Sequence, residues 1–334
     1  MKKLKLLILT DHLNHSSENS LYILGRAMCA KPDCESADVA TRGLAVNHDF
    51  FLAKKDAPLF VSPVDEDFAF SEDGRTFSTN LREASLSDYD AVWIRMPPPL
   101  SRDFLGSLDQ RFPGQVIVNN PKSIWEMGSK RFLLNFPELC PAMQVCDSVE
   151  SIIAFKNRFP IVLKPFREYG GKGIVRIDGE KVWEGKTETS FDAFIDSIRG
   201  QPFEYLGVEF LRDVGKGDKR IIVVLGKIMG ASLRLPAENS WICNVAMGGS
   251  AHPATPDADE VQIVNTINPV LEEMGIVMYG VDTLVGNDGR RILSEINATS
   301  IGGLPQIAEQ MGLPLVEEAT DLIWQYIHEQ RQMG

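Results

Sequence analysis

The chain is poor in the features that announce whole classes of function. Its 334 residues hold five cysteines, Cys29, Cys34, Cys140, Cys146 and Cys243, at spacings that make neither a CxxC metal pair nor a secreted disulfide framework. Free thiols in a reducing, cytoplasmic setting are therefore expected. No apolar run approaches the ~20 residues that span a bilayer, which argues against a membrane partner. The opening MKKLKLLILTDHLNHSS meets Asp11 directly after a short apolar run and has no small-residue cleavage site, so it reads as a first buried strand. Positive charge is also short: 34 Lys and Arg against 46 Asp and Glu leave a net charge of -12, which repels polyanions and argues against nucleic acid. Two familiar nucleotide signatures are missing. The closest approach to a Walker A loop, Gly179 to Thr187, has one residue too many between its glycines and no buried strand before it. Gly171-Lys172-Gly173 runs on into Ile-Val-Arg and so fails the dinucleotide fingerprint. Any phosphate-bearing ligand must then rely on individually placed cations and backbone amides.

What is present is an ordinary globular composition, 44% hydrophobic and 24% charged, over a length that suggests roughly two domains. LKLLILT (4–10) followed by polar turn residues and SLYILGRAMCA reads as the β-α start of an open α/β sheet. Residues 54–80 cluster Pro, Asp, Ser and Gly around short apolar pieces and read as loops or a hairpin inserted in that first unit. AVWIRM (91–96) and QVIVNN (115–120) return as strands, the former stopped by Pro97, Pro98 and Pro99. Ser123 with Glu126 makes a capping box that predicts a helix through KSIWEMGSKRFLLNF. Beyond it come IVLKP, GIVRI, a helix near 190–199, the run KRIIVVLGKIMG (219–230), a helix near 259–274, the strands VMYGVDTLVG and RRILSEIN, and a closing helix. The second part is thus α+β in character.

Three constellations carry chemistry. In VLKPFREYGGKGIVRI (162–177) a strand lysine, Lys164, precedes a glycine-rich loop, whose glycines permit the positive φ and close approach that a phosphate-facing amide nest requires. Asp282 and Glu295 lie on two apolar runs joined by the turn Gly286-Asn-Asp-Gly289, so a hairpin sets them on neighbouring strands, with Asn297 on the same face as Glu295. Two carboxylates and an amide oxygen make a hard oxygen set suited to Mg²⁺ shared with phosphates, and Mn²⁺ would also fit. Gly217-Asp-Lys219-Arg220 delivers two cations into a strand, and Arg234 follows one strand later; two guanidinium groups beside a metal would stabilise charge on a moving phosphoryl group. Asn244 in NVAMGG adds an amide that could meet phosphate.

In their joint order these pieces, with WIRMPPP, VNNPKSI, SKRF and SEINATS, resemble the bacterial glutathione synthetases, members of the ATP-grasp ligases, over nearly the whole chain. The resemblance implies an ATP-grasp fold with an N-terminal open α/β (pre-ATP-grasp) domain at 1–120, a central subdomain with a glycine lid at 121–204, and a C-terminal subdomain with the metal site at 205–330. It also implies residue roles. Lys130 and Lys164 would face the ATP phosphates, the loop Glu168, Tyr169, Gly170, Gly171, Lys172 and Gly173 would be the lid, and Val208, Glu209, Phe210 and Leu211 would read adenine. Lys219 and Asn244 would add phosphate contacts. Asp282, Glu295 and Asn297 would hold the metal, and Arg220 and Arg234 would be catalytic. Asn14, Ser17, Arg95, Thr299 and Ser300 would meet the substrates. The implied reaction joins γ-glutamylcysteine to glycine through an acyl phosphate, in a homo-oligomer. Two segments depart from the family pattern, Ile301–Pro305 and Ala237–Cys243, both where acceptor and peptide should bind. A ligase for a different carboxylate and amine, and a non-catalytic ATP-binding regulator, stand as the alternatives.

Overall fold

The computed structural model describes residues 3–236 and 250–333. Within them the chain builds three sheets. The first contains β1 (Leu4–Thr10), β2 (Cys34–Thr41), β3 (Leu59–Val64), β4 (Arg82–Ala84), β5 (Ala91–Arg95) and β6 (Val116–Val118), in the order β4-β3-β2-β1-β5-β6. β1 pairs in parallel with β2 and β5, and β5 with β6, which is the open α/β sheet expected of this segment. Residues 54–80 give this sheet its antiparallel edge through β3. β1 is buried along nearly its whole length because α1 (Ser20–Cys29) and the closing helix cover one face, while α2 (His48–Phe51) and α3 (Arg102–Arg111) lie against the core of the other.

The expected helix over 122–136 is shorter and starts earlier. Asn120, not Ser123, is the cap: its side chain accepts the Ser123 amide at 3.1 Å, and Pro121 occupies the first turn, where its fixed φ and missing N–H cost nothing. α4 therefore runs Pro121–Met127 and stops at Gly128, and Ser129 caps a separate tight turn over Lys130–Asn135. That break puts Lys130 at the start of an element rather than on a helix face.

The second sheet contains β7 (Met143–Cys146), β8 (Ile161–Pro165), β9 (Val175–Asp178), β10 (Lys181–Glu184), β11 (Thr187–Ser190) and β12 (Tyr205–Glu209), in the order β11-β10-β9-β8-β12-β7. Tyr205–Glu209, expected to open the C-terminal unit, pairs instead between β8 and β7 in this sheet. With α5 (Val149–Lys156) and α6 (Phe191–Ile198) it encloses a core of its own, including Phe155, Leu163, Ile177 and Phe194.

The third sheet contains β13 (Asp218–Val224), β14 (Lys227–Leu235), β15 (Ser250–Ala254), β16 (Met278–Val285) and β17 (Arg291–Asn297), antiparallel throughout in the order β15-β14-β13-β16-β17. The run 219–230 divides here: Leu225 and Gly226, both at positive φ, make a two-residue hairpin. α7 (Ala258–Glu273), α8 (Leu304–Met311) and α9 (Leu315–Met333) pack on this sheet. None of the described helices is long and apolar enough to cross a membrane. The four described cysteines, Cys29, Cys34, Cys140 and Cys146, are free thiols.

Asn119 joins the first sheet to the third. Its amide nitrogen donates to the Met278 and Ala298 carbonyls, both at 2.7 Å, and its oxygen accepts the Val277 and Met278 amides at 2.6 and 3.0 Å. All of its hydrogen-bonding capacity is used, in a buried position. Replacing Asn119 with Leu strands these backbone groups away from water, so denaturant titration is expected to show a loss of roughly 3 kcal/mol or more; a loss under about 1 kcal/mol would contradict the clamp.

Candidate active site

A cleft of about 450 Å³ opens between the second and third sheets. Strand alternation decides what faces it. On β8, Ile161 and Leu163 point into the local core, so Val162 and Lys164 point the other way, into the cleft. Val208 stands opposite Val162 on β12, and the chain then leaves through Glu209, Phe210 and Leu211, which also line the cleft. Asn287, in the turn between β16 and β17, fixes this exit by donating to Glu209 Oε1 at 2.8 Å and to the Phe210 carbonyl at 3.2 Å.

The loop between β8 and β9 folds over the mouth. Gly170, Gly171 and Gly173 all have positive φ, a conformation side chains resist, which is why the sequence spends three glycines here. The loop is tied to α4: the Tyr169 hydroxyl donates to the Gly128 carbonyl at 2.5 Å, and the Arg167 guanidinium lies 3.6 Å over the Trp125 ring. Lys130 Nζ donates to the Glu168 carbonyl, and the Lys130 amide to that of Phe166 at 2.8 Å. Tyr169, Gly170 and Gly171 line the cleft, whereas Glu168, Lys172 and Gly173 do not. Burial lowers the pKa of Lys130 and of Lys164, with Glu295 the chief opposing influence on each.

The third sheet supplies the opposite wall. Asp218 and Arg220 alternate onto the cleft face of β13, and the register sets Asp218 across from Arg234 and Arg220 across from Asp282. Arg220 grips Asp282 with two hydrogen bonds, Nε to Oδ1 at 2.8 Å and Nη2 to Oδ2 at 2.6 Å. Arg234 grips Asp218 likewise, at 2.7 and 2.5 Å, and reaches Asp282 Oδ2 at 2.9 Å. Asp282 is only 3% exposed. Burial would raise its pKa, but Arg220 and then Arg234 outweigh it and hold the group at about 2. Asp218 goes the other way, raised to about 6 by burial against the pull of Arg234.

Glu295 stands directly opposite Asp282 on β17, and Asn297 opposite Gly280, with Asn297 Nδ2 donating to Asp282 Oδ2 at 3.2 Å. Oxygen donors are therefore gathered as the hairpin predicts. Glu295 and Asn297 line the cleft and could hold a divalent cation there, with Asp282 bringing charge already shared with two guanidinium groups. Thr299 and Ser300 continue the wall.

Several expected residues lie elsewhere. Lys219, next to Arg220, points to the opposite face of β13 and is held by Glu260 at 2.7 Å and the Thr255 carbonyl at 3.1 Å, because neighbouring residues on a strand face opposite ways. It is a structural cation, not a phosphate contact. Arg95 is 3% exposed and donates at 2.8 Å to both Ser20 Oγ and the Ile301 carbonyl, so it fastens the first unit to the segment after β17 and does not line the cleft. Asn14 and Ser17 are exposed in the loop after β1 and also lie outside the lining. Asn244 falls outside the described residues. Sequence reasoning passed over Asp218, Asn287 and Asn119. Only Asp218 left a signal, since two-residue spacing puts it on the face of Arg220.

The fold is that of the ATP-grasp ligases: the chain superposes on D-cycloserine synthetase with a TM-score of 0.64, 13% identity, and coverage of 97% of this chain and 99% of the other. It superposes on an ATP-bound D-alanine–D-alanine ligase from Bacillus anthracis with a TM-score of 0.57, 14% identity and 99% coverage of both. A profile of the prokaryotic glutathione synthetase ATP-grasp domain matches residues 129–312. Glutathione synthetase of Bradyrhizobium diazoefficiens is 32% identical over 75% of this chain and 77% of its own, and that of Mesorhizobium japonicum 27% identical over 84% and 86%. The chain belongs to the prokaryotic glutathione synthetase family, and is an ATP-dependent ligase that forms an amide bond.

The loop after β1 carries its own titration. The His15 ring lies edge-on to Tyr22 and Phe77, with Nδ1 3.1 Å from the Tyr22 hydroxyl. Burial, helped by His12 and Arg95 and opposed by Asp11, pushes its pKa down from 6.5 to about 4. The folded state thus binds this proton less well than the unfolded chain, so stability is complete above pH 6.5 and is lost as pH falls through 4. His15→Phe is expected to flatten the stability–pH curve in that window by about 2 kcal/mol. An unchanged slope would contradict it.

Proposed function

We propose that the cleft joins γ-glutamylcysteine to glycine at the expense of ATP, releasing ADP and phosphate. The observation that carries this reading is the convergence of Lys130, Lys164, Arg220, Arg234 and Glu295 on one cleft beneath a glycine loop. A carboxylate is a poor electrophile, so it must first be phosphorylated; the glycine amine then attacks the acyl phosphate and phosphate leaves. No protein nucleophile is required. Lys130 and Lys164 hold the triphosphate, and the wall from Val208 to Leu211 holds the base. Glu295 and Asn297, beside Asp282, would hold a divalent cation such as Mg²⁺, which would supply positive charge toward the phosphate oxygens when bound. Arg220 and Arg234 sit where charge grows on the transferring phosphoryl group and then on the tetrahedral oxygen, and their carboxylate partners fix them before substrate arrives, which spares reorganisation in the transition state. Thr299 and Ser300 place substrate polar groups at the same wall. Loop closure excludes the water that would otherwise hydrolyse the acyl phosphate.

The reading is tested by ADP release with γ-glutamylcysteine and glycine together and each alone, and by product mass. Release that needs both, with a product of glutathione's mass, is expected; turnover only with another carboxylate and amine would overturn the substrate assignment. Arg220→Lys is expected to lower kcat by roughly a hundredfold while ADP affinity stays within about threefold, because the interaction strengthens as charge develops. Equal losses in binding and turnover would remove Arg220 from this role. Glu295→Gln is expected to raise the Mg²⁺ concentration for half-maximal rate by roughly tenfold or more with the melting temperature nearly unchanged. A matching fall in melting temperature would make the residue structural.

A further inference from the structure

The nucleotide side of the cleft ends in a stack of three side chains. Across the cleft face of the second sheet the register aligns one row: Met143 opposite Val208, Val208 opposite Val162, Val162 opposite Arg176, and Arg176 opposite Trp183. Met143, Val208 and Val162 line the cleft, and Arg176 follows Val162 in the row just outside that lining. Its guanidinium lies 4.0 Å over the Phe210 ring and 4.7 Å over the Trp183 ring, so it is sandwiched between the chain that leaves β12 and the hairpin that follows β9. Asp178 takes one Nη2 bond at 3.3 Å, while Nε is buried with no acceptor among the described residues. The orientation is thus set by the two rings more than by hydrogen bonds. Arg176 is also the second residue of β9, directly beyond the glycine loop over 166–174.

The geometry points to Arg176 as a positioning residue that ties the exit of the glycine loop to the base-side wall through Phe210. Filling of the base pocket then fixes Phe210, Phe210 fixes Arg176, and Arg176 fixes the strand end from which the loop springs, so that base occupancy favours the closed loop. This rests on the nucleotide reading of the cleft given above. The stack also accounts for the place of Trp183 on an outer hairpin, where a ring over Arg176 shields the guanidinium from water.

The test uses the full chain with Mg²⁺ and ADP, read by calorimetry and by tryptic cleavage at Arg167 and Lys172, both exposed in the loop. In the unmodified protein ADP is expected to bind and to slow both cleavages. Arg176→Met keeps the stem and removes the charge; it is expected to weaken ADP binding by roughly tenfold and to abolish the protection even at saturating ADP, while the melting temperature changes little. Arg176→Lys restores part of both. Trp183→Ala, which strips only the outer ring, lowers the same two readouts by roughly threefold and serves if Arg176→Met does not fold. Unmodified ADP affinity and loop protection in a folded Arg176→Met or Trp183→Ala protein would overturn the inference. Failure of the unmodified protein to bind ADP would instead overturn the nucleotide reading, and the inference with it.

Discussion

The site depends on the grip of two arginines on Asp282. A carboxylate 3% exposed would ordinarily keep its proton, yet Arg220 and Arg234 hold it ionised, and it in turn holds them. Asp218 adds a second anchor to Arg234, so the pairings run across three neighbouring strands, β14, β13 and β16. Such a network is weak evidence for stability, since desolvation offsets much of the Coulomb gain. Its worth lies in placement: two guanidinium groups are fixed in a cleft before any substrate enters.

That network sits on a platform assembled from both ends of the chain. Asn119 fastens the end of the first sheet to β16 and to the chain after β17, and Arg95 with Ser20 holds the Ile301 carbonyl from the same side. Ile301 in turn packs so near Gly280 that an added methyl group there would meet it at 3.3 Å, beside the Arg220 side chain. Ile301 is therefore part of the support for Arg220 as well as a near neighbour of Thr299 and Ser300. A change at this residue would be felt at Arg220.

Local signals explain what was legible beforehand. The turn at Gly286–Gly289 and the two-residue period fixed Asp282, Glu295 and Asn297 on one wall, and the glycines after Lys164 marked the loop. Period alone does not say which face of a strand meets a cleft: alternation puts Lys219 and Arg220 on opposite faces of β13, and the contact of Lys219 with Glu260 on α7 decides that Arg220 is the one in the cleft. The place of Tyr205–Glu209 inside the second sheet, and the four bonds of Asn119, are contacts between residues far apart in sequence, and no local pattern encodes them. Arg95 was expected to meet substrate, and its burial shows instead a cation used as an internal fastener.

The proposed route turns the substrate carboxylate into an acyl phosphate in this cleft. It is tested most directly by supplying γ-glutamylcysteine labelled with ¹⁸O in its cysteinyl carboxylate, with Mg²⁺, ATP and glycine, and weighing the inorganic phosphate released. Transfer of one labelled oxygen to each phosphate formed is the expected result. Unlabelled phosphate accompanying amide formation would show that the carboxylate is not activated by phosphoryl transfer, and the roles given to Arg220 and Arg234 would fall with it.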